Sequence, residues 1–332
     1  MHINNTISFL HRINEEIDAY GDDNKEEWED TEYQDSILLL LFSNDCFTNS
    51  FRKPKWIHNC IVWDSHVKGL HHAGKFQQNY QMSERAFDKL LLMLYPKLLK
   101  NIVLSSNSTS GLGEVISPEM TMAIGLCLLA RVNYIDLTSA YGISEFSVFV
   151  ARNLFVNAVN SFEALNVVFP DSEEDFNVLQ NGFQAKSTHG LIQGCVGCID
   201  GLLIEIKHPS ERECGNSPNS YYSGYYCCYG LNIQAVCNIN MHFIFFSVAA
   251  PGKSCDQAAL EKTSLHSIIS KLLLGLYVIG DAAYTVSDQM LVPFTGSNRQ
   301  NPNKDAYNYF LSQMQIQIET SFGLLTNKWQ VL

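Results

Sequence analysis

Residues Gly194 to Pro209 read Gly-Cys-Val-Gly-Cys-Ile-Asp-Gly-Leu-Leu-Ile-Glu-Ile-Lys-His-Pro. Between Val196 and Ile206 the stretch is rich in apolar and β-branched residues, with glycines before it and a proline after it, which predicts a buried strand. Asp200 lies in the middle of this strand and is followed by Gly201. A carboxylate on a central strand is unfavourable unless a cation or hydrogen bonds compensate its charge. Asp200 is therefore either a cap of a neighbouring turn or part of a functional site.

Two further acidic residues occupy comparable positions. Leu276 to Gly280 is a short apolar run that ends on Asp281, and the carboxyl end of a strand is where open α/β sheets bind ligands. Glu319 lies one position off the apolar stripe of a predicted helix, and Gly323 leaves room beside it one turn later. That stripe consists of Leu311, Met314, Ile318, Phe322 and Leu325. Three convergent carboxylates would suit a pair of hard divalent cations.

The order of the predicted elements indicates the fold class. Tyr229 to Cys237 alternates in polarity like a strand, His242 to Val248 is a continuous apolar run, and Ser254 to Leu274 has a helical pattern. The resulting order is β(Asp200)–β–β–α–β(Asp281)–α(Glu319). It predicts an α/β protein with a ribonuclease-H-like catalytic core, a mixed sheet flanked by helices. We expect Asp256 to be the N-terminal cap of the helix that follows the third strand.

An all-α region precedes this core. Between Ile116 and Asn160 the sequence predicts helices separated by a turn, with caps at Ser117 and Ser144 and a helix end at Gly142. The spacing is typical of a helix-turn-helix. However, Arg152 is the only basic residue on the presumed reading helix, and phosphate contacts need Lys or Arg. A DNA reader and an ordinary helical core both remain open.

The net charge of −12 is concentrated in one place. Residues 15–35 contain eleven acidic residues and one lysine, so the rest of the chain is close to neutral. This run is typical of a solvated or disordered extension. We therefore expect three regions: an acidic, partly disordered N-terminal extension at 1–75, a helical region at 76–185, and a catalytic core at 186–332 that is truncated at its C-terminal end.

Ten cysteines without a secretory signal indicate a reducing intracellular compartment. Cys195-x-x-Cys198 and the pair Cys227-Cys228 are interpreted as small core residues, with a structural zinc site as the alternative. The apolar run Ser36–Phe42 is too short to span a bilayer, so no membrane association is predicted. The basic cluster Arg52–Lys55 is a weak nuclear-import pattern.

Several ordered motifs resemble the transposases of the Harbinger type within the DDE endonuclease superfamily. The resemblance extends from about Met82 to the last residue. The matching segments are Phe183–Gly190, Cys198–Ile204, Tyr225–Val236, Ala250–Gly252 with Asp256, Gly280–Tyr284, Leu291–Gly296, Asn308–Ser312 and Ile318–Gly323.

The resemblance implies a nuclear enzyme that cleaves DNA phosphodiesters at transposon ends and performs strand transfer. It places the three catalytic, metal-binding acids at Asp200, Asp281 and Glu319, with Mg²⁺ or Mn²⁺ in a two-metal site. It also implies a separate Myb-like DNA-binding partner, and a homo-oligomer is expected. The chain departs from the family at Gln315 and Gln317, where arginines are usual, which predicts weaker phosphate contact.

Three alternatives remain open at this point. A domesticated or degenerate copy would keep the fold and act as a nuclear DNA- or chromatin-associated binding protein without catalysis. A nuclease without strand transfer would use the same acids. A zinc-bound regulator built on the cysteines would retain its metal after Asp200→Ala.

Overall fold

A computed structural model describes residues 60–99, 116–215, 217–296 and 301–329. These residues divide into two compact units, one within Val167–Leu325 and the other within Asp45–Asn166 and Thr326–Leu332. Three features that the sequence singled out lie outside the described residues. They are the acidic run at 15–35, the apolar run Ser36–Phe42 and the basic cluster Arg52–Lys55.

The N-terminal unit is helical throughout its described part. Serine side chains cap two of its helices: Ser83 accepts a hydrogen bond from the Ala86 amide, and Ser117, as predicted, accepts one from the Met120 amide. The helices are α1 (Trp63–Ala73), α2 (Phe76–Tyr80), α3 (Glu84–Leu98), α4 (Pro118–Leu129), α5 (Tyr134–Tyr141) and α6 (Glu145–Asn160).

The turn predicted between α5 and α6 is confirmed. Gly142 ends α5 in the left-handed conformation, with φ of 60°, and the Ser144 side chain caps α6 by accepting from the Ser147 amide. One face of α6 is buried through Val148, Ala151 and Phe155. The helices are therefore as the sequence predicted, and DNA binding by α6 stays a prediction.

The second unit contains the sheet and the helices that flank it. Its elements are α7 (Glu173–Lys186), β1 (Cys195–Glu205), β2 (Tyr222–Ser223), β3 (Cys228–Cys237), β4 (Phe243–Pro251), α8 (Asp256–Leu260), α9 (Ser264–Ile269), β5 (Tyr277–Ile279), β6 (Met290–Leu291) and the long helix α10 (Pro302–Lys328).

The six described strands form one mixed sheet. β3 lies between β1 and β4 and is antiparallel to both, and its first residues also pair with the short β2. On its other edge β1 pairs with β5 in parallel, and β5 pairs with β6 in parallel. The predicted ribonuclease-H-like fold, a mixed sheet flanked by helices and preceded by a helical region, is confirmed.

An apolar core lies on one side of the sheet. It joins strand residues such as Val196, Ile199 and Val278 to Leu260 and Leu265 from the short helices. Because adjacent side chains of a strand point to opposite faces, Asp200, which follows Ile199, points away from this core. No helix in the described ranges is long and apolar enough to cross a membrane.

Two local predictions were wrong. The helix expected over Ser254–Leu274 is instead the two short helices α8 and α9, because Thr263 adopts an extended conformation between them. Of the cysteines interpreted as core residues, Cys195 and Cys198 are fully buried, whereas Cys227 is exposed and adopts a left-handed φ of 56°. Cys228 is half-buried. Cys227 ends the turn before β3 and Cys228 is the first residue of β3, which their apolar character did not indicate.

Candidate active site

Asp200 and Asp281 lie at the same level of two adjacent parallel strands. Cys198 of β1 pairs with Ile279 of β5. Asp200 comes two residues after Cys198, and Asp281 comes two residues after Ile279. Parallel strands run side by side at about 5 Å spacing, so this register brings the two aspartates to neighbouring positions at one edge of the sheet. The sequence could predict both residues but not their alignment.

Asp200 lies in a half-buried, strongly acidic environment. Its Oδ1 accepts a hydrogen bond of 2.8 Å from the Gly201 amide. Burial raises the pKa of Asp200 to about 7, and the Gly201 hydrogen bond opposes that rise. The charges of Asp281, Asp256 and Glu319 raise the pKa of Asp200 further. The three other carboxylates are therefore close enough to act on Asp200 electrostatically.

Asp281 begins a turn directly after β5. Its Oδ1 accepts a hydrogen bond of 2.9 Å from the Ala283 amide, which fixes the carboxylate at the edge of the sheet. Burial raises the pKa of Asp281, and the charge of Asp256 adds to that effect. In the described part of the chain, no Lys or Arg forms an ion pair with Asp200 or Asp281. Within the described residues, the hydrogen bonds that these two carboxylates accept come from backbone amides.

Glu319 is carried by α10, whose apolar stripe is buried as predicted through Leu311, Met314, Ile318, Phe322 and Leu325. Glu319 lies beside this stripe and is exposed, and an added side chain at Gly323 would meet open space. Of the three acids predicted as the site, Glu319 is thus the least enclosed. Its connection with Asp200 is electrostatic.

Polar contacts attach α10 to the sheet edge. With its amide oriented to match its neighbours, Gln315 donates to the Gly280 carbonyl at 3.0 Å and accepts from the Asp281 amide at 3.0 Å. Gln317 accepts from Lys186 Nζ at 3.0 Å. Both glutamines are buried and bond to groups of the protein, and the weaker phosphate contact expected at these positions stays a prediction. Here the two residues fix the helix that carries Glu319.

The role expected for Asp256, the N-terminal cap of a helix, was wrong. Cys255 is the N-cap of α8, Asp256 is the first helical residue, and the Asp256 side chain does not cap the helix. Instead its Oδ1 accepts hydrogen bonds from Asn232 Nδ2 at 2.9 Å and Gln234 Nε2 at 3.2 Å. Asn232 and Gln234, on the polar face of the alternating strand predicted at Tyr229–Cys237, were the available signal, because buried polar groups require partners.

An exposed aromatic residue borders the acidic cluster. The Tyr226 side chain is 60% exposed, and its ring lies 4.8 Å from that of Tyr225. Partial burial of the side chain raises the pKa of Tyr226. Electrostatic interaction with Tyr225, Asp256 and Asp200 raises the same pKa further. Tyr226 is therefore close to the carboxylates and accessible to a bound substrate.

The donor chemistry of the cluster fits a hard divalent cation. All candidate ligands are carboxylate oxygens, which Mg²⁺ and Mn²⁺ prefer, and the crowded negative charge would be relieved by a bound cation. As the side chains stand, however, no three His, Cys, Asp or Glu residues in the described ranges are close enough to hold a metal ion. The structure thus gathers acids at one edge of the sheet without closing them around an ion.

Comparison with known proteins agrees with the fold. Residues 199–332 match a family model described as DDE superfamily endonuclease. The matched segment contains Asp200, Asp256, Asp281 and Glu319. No curated protein and no solved structure matches the chain. The match supports the superfamily named above, and it suggests nuclease or transposase activity.

Proposed function

We propose that this chain is a DDE transposase, a divalent-metal-dependent endonuclease that cleaves DNA phosphodiesters and performs strand transfer. The observation that carries the proposal is the parallel register that aligns Asp200 with Asp281, within electrostatic reach of Glu319. These three acids would hold Mg²⁺ or Mn²⁺. The match to DDE superfamily endonucleases over the same residues supports this choice among metal-dependent phosphoryl-transfer enzymes.

The proposed chemistry is an in-line displacement at phosphorus. The oxygen of water, or of a DNA 3′-hydroxyl, forms the new bond to phosphorus while the bond to the leaving 3′-oxygen breaks, so the phosphate ester is either hydrolysed or transferred. A bound pair of divalent ions would activate the nucleophile and stabilise the leaving oxygen. Asp200 on β1 and Asp281 in the turn after β5 would provide two carboxylates, and α10 would bring Glu319 toward the same edge.

In the described ranges, no Lys or Arg is paired with Asp200 or Asp281 and available there to attract DNA by charge. We therefore propose that DNA binding at transposon ends relies on exposed aromatic residues such as Tyr226 and on a separate Myb-like DNA-binding protein. The resemblance of the motifs is the basis for proposing a separate DNA-binding protein. On the same basis we propose that the chain is of the Harbinger type, is nuclear and forms a homo-oligomer.

The test is a cleavage assay on supercoiled DNA and on DNA carrying element ends, with Mn²⁺, Mg²⁺ or EDTA. We expect Mn²⁺-dependent nicking by the unmodified protein and loss of nicking by Asp200→Asn, Asp281→Asn and Glu319→Gln. Asp288→Asn is a matched control, because it removes an exposed carboxylate a few residues from Asp281. Normal cleavage by any of the three site variants, with the fold intact, would remove that residue from the metal site.

A second function, a DNA- or chromatin-binding protein without catalysis, is favoured by one specific observation. Glu319 is exposed, and no described group of three ligand side chains is close enough to hold an ion. This alternative predicts DNA binding that is equal in Mn²⁺ and in EDTA, and no nicking under either condition. The cleavage assay and a binding assay run in parallel separate the two functions.

A further inference from the structure

A row of aromatic rings lies where β2, β3 and the segment after β1 run side by side. Tyr222 of β2 is the antiparallel partner of Tyr229 of β3, and their ring centroids are 5.2 Å apart. On the other side of β3, the Ile206 amide donates to the Tyr229 carbonyl, and the His208 ring lies 4.5 Å from the Tyr229 ring. Both ring contacts are edge-to-face. Tyr222, Tyr229 and His208 are called the aromatic row below.

The two tyrosines of the aromatic row lie on the same face of the sheet as Asp200. Asp200 is directly opposite Ala235 of β3, and directly opposite residues of an antiparallel pair share one face. Because the pairing of β1 with β3 is regular, Tyr229, an even number of positions before Ala235, points to the face of Ala235. Tyr222, as the partner of Tyr229, points to that face too.

The aromatic row and the hairpin turn beside it are open to solvent. Tyr222 is 40% exposed, and in the turn between β2 and β3 Tyr225 is 88% and Tyr226 60% exposed. His208 is exposed as well. Single exposed aromatic side chains are ordinary, but three tyrosines exposed this close together form a patch that indicates a binding surface. Tyr226 is within electrostatic reach of Asp200, so the patch continues to the candidate active site.

The chemistry of this patch favours nucleobases as its occupant. Tyrosine and histidine rings offer flat faces for stacking and keep a polar group for water. Lys207 and Lys253 are exposed nearby, and the Lys253 amide donates to the Ser220 carbonyl just before β2. Exposed Glu205 offsets part of this positive charge, so stacking rather than phosphate contact would provide most of the affinity. Bases of a duplex already stack on each other, so such a surface suits an unpaired strand.

We propose that the aromatic row binds the unpaired bases of a DNA strand that leads away from Asp200. The inference rests on the proposed function and deepens it, because it names the substrate as DNA with a single-stranded segment beside the cleavage site. Bases stack on the exposed rings of Tyr222 and His208. Tyr229, which is half-buried between them, is a positioning residue that holds both rings.

The experiment measures binding of a fluorescein-labelled oligodeoxythymidylate of about 12 nucleotides to the full chain by fluorescence anisotropy. The buffer contains EDTA, which makes the measurement independent of the proposed metal site. A blunt duplex and an abasic oligonucleotide of the same length are the comparison probes. The variants are Tyr222→Phe, Tyr222→Leu and His208→Ala. Tyr95→Ala is the matched control, because Tyr95 is 39% exposed and lies on α3, outside the sheet.

We expect the unmodified protein to bind the single strand more tightly than the duplex or the abasic probe. Tyr222→Leu and His208→Ala should each weaken binding of the single strand about fivefold or more, because each removes a stacking ring. Tyr222→Phe keeps the ring and should bind like the unmodified protein, as should Tyr95→Ala. Added salt should weaken binding only slightly, because few phosphates are contacted.

Three results would overturn the inference. They are no binding of the single strand, equal binding by Tyr222→Leu, His208→Ala and the unmodified protein, and an abasic probe that binds as tightly as the single strand. If Mn²⁺-dependent nicking accompanies any of them, the proposed function stands without the inference. Conversely, binding that depends on Tyr222 and His208, in a protein that never nicks DNA, would support the inference and contradict the proposed catalysis.

Discussion

The side chain of Gln315 contacts the backbone of Asp281 directly, accepting a hydrogen bond from the Asp281 amide at 3.0 Å while donating to the Gly280 carbonyl. This pair of bonds links α10 to the end of β5, one helical turn before Glu319. The position of Glu319 relative to Asp281 thus depends on a residue that carries no charge.

Replacing Gln315 by leucine should therefore disturb both stability and the site. The variant leaves the Gly280 carbonyl and the Asp281 amide without their partner, which costs about 1–3 kcal/mol for a buried polar group. We expect a lower midpoint in urea and weaker Mn²⁺ binding. Ile316→Ala, at a neighbouring exposed position on the same helix, should leave Mn²⁺ affinity unchanged. Equal Mn²⁺ affinity in Gln315→Leu would show that the contact does not position the site.

The raised pKa of Asp200 predicts an unusual dependence of stability on pH. In the folded protein its pKa is about 7, against an ordinary value of 3.8, so the folded state holds this proton more tightly than the unfolded state. Between about pH 4 and pH 7 the free energy of unfolding should fall as pH rises, by up to about 1.4 kcal/mol per pH unit from this group. Asp281, whose pKa is also raised, contributes in the same direction.

Chemical unfolding in EDTA across this pH range checks that dependence. In Asp200→Asn the free energy of unfolding should depend less on pH. The variant should be more stable than the unmodified protein near pH 8, where the unmodified protein carries the buried charge. Added Mn²⁺ should abolish the difference by favouring the ionised carboxylate. A stability that rises steadily from pH 4 to pH 7 in EDTA would contradict the acidic environment described for Asp200.

Tyr226 provides a test of substrate binding that does not involve the acids. Stacking of one base on an aromatic side chain contributes about 1–3 kcal/mol, so Tyr226→Ala should weaken binding of single-stranded or frayed DNA ends about fivefold or more. Tyr309→Ala is the control, because Tyr309 is equally exposed, at 59%, and lies ten residues before Glu319, about 15 Å along α10. Equal losses from both variants, measured by fluorescence anisotropy, would argue against a specific role for Tyr226.

The buried cysteines should be structural. Cys198 is fully buried and its thiol donates to the Met314 carbonyl at 3.1 Å, which joins β1 to α10. Cys198→Ala should lower the free energy of unfolding by about 1–3 kcal/mol and leave the metal content of the purified protein unchanged. Loss of bound zinc on this substitution, measured by atomic absorption, would instead favour the regulator built on cysteines.

Much of the core could be predicted because its signals are local. The apolar runs around Asp200 and before Asp281 predicted the strands β1 and β5. The apolar stripe beside Glu319 predicted the helix α10. The two-residue strands β2 and β6 were missed, since so short a run has no readable periodicity. The residues around Thr263 favoured one continuous helix, but Thr263 is extended and divides it into two. This break depends on the surrounding structure, so the sequence did not predict it.

Contacts between distant segments could not be predicted in the same way. Asp256 precedes a helical pattern, so its sequence context favoured a cap, and only the fold brings it against Gly201 and the amides of β3. Gln315 stands where the resemblance leads us to expect arginine, and its bonds to Gly280 and Asp281 depend on the packing of α10 against the end of β5. Both residues act through partners dozens of positions away in the chain.

The central claim is that Asp200, Asp281 and Glu319 share divalent ions at one edge of the sheet. Anomalous diffraction from crystals soaked in Mn²⁺, with DNA bound, tests it most directly. The account predicts manganese peaks with oxygens of Asp200 and Asp281 about 2 Å away and Glu319 turned toward them. Clear density for the protein and DNA, with no manganese at these aspartates, would contradict it.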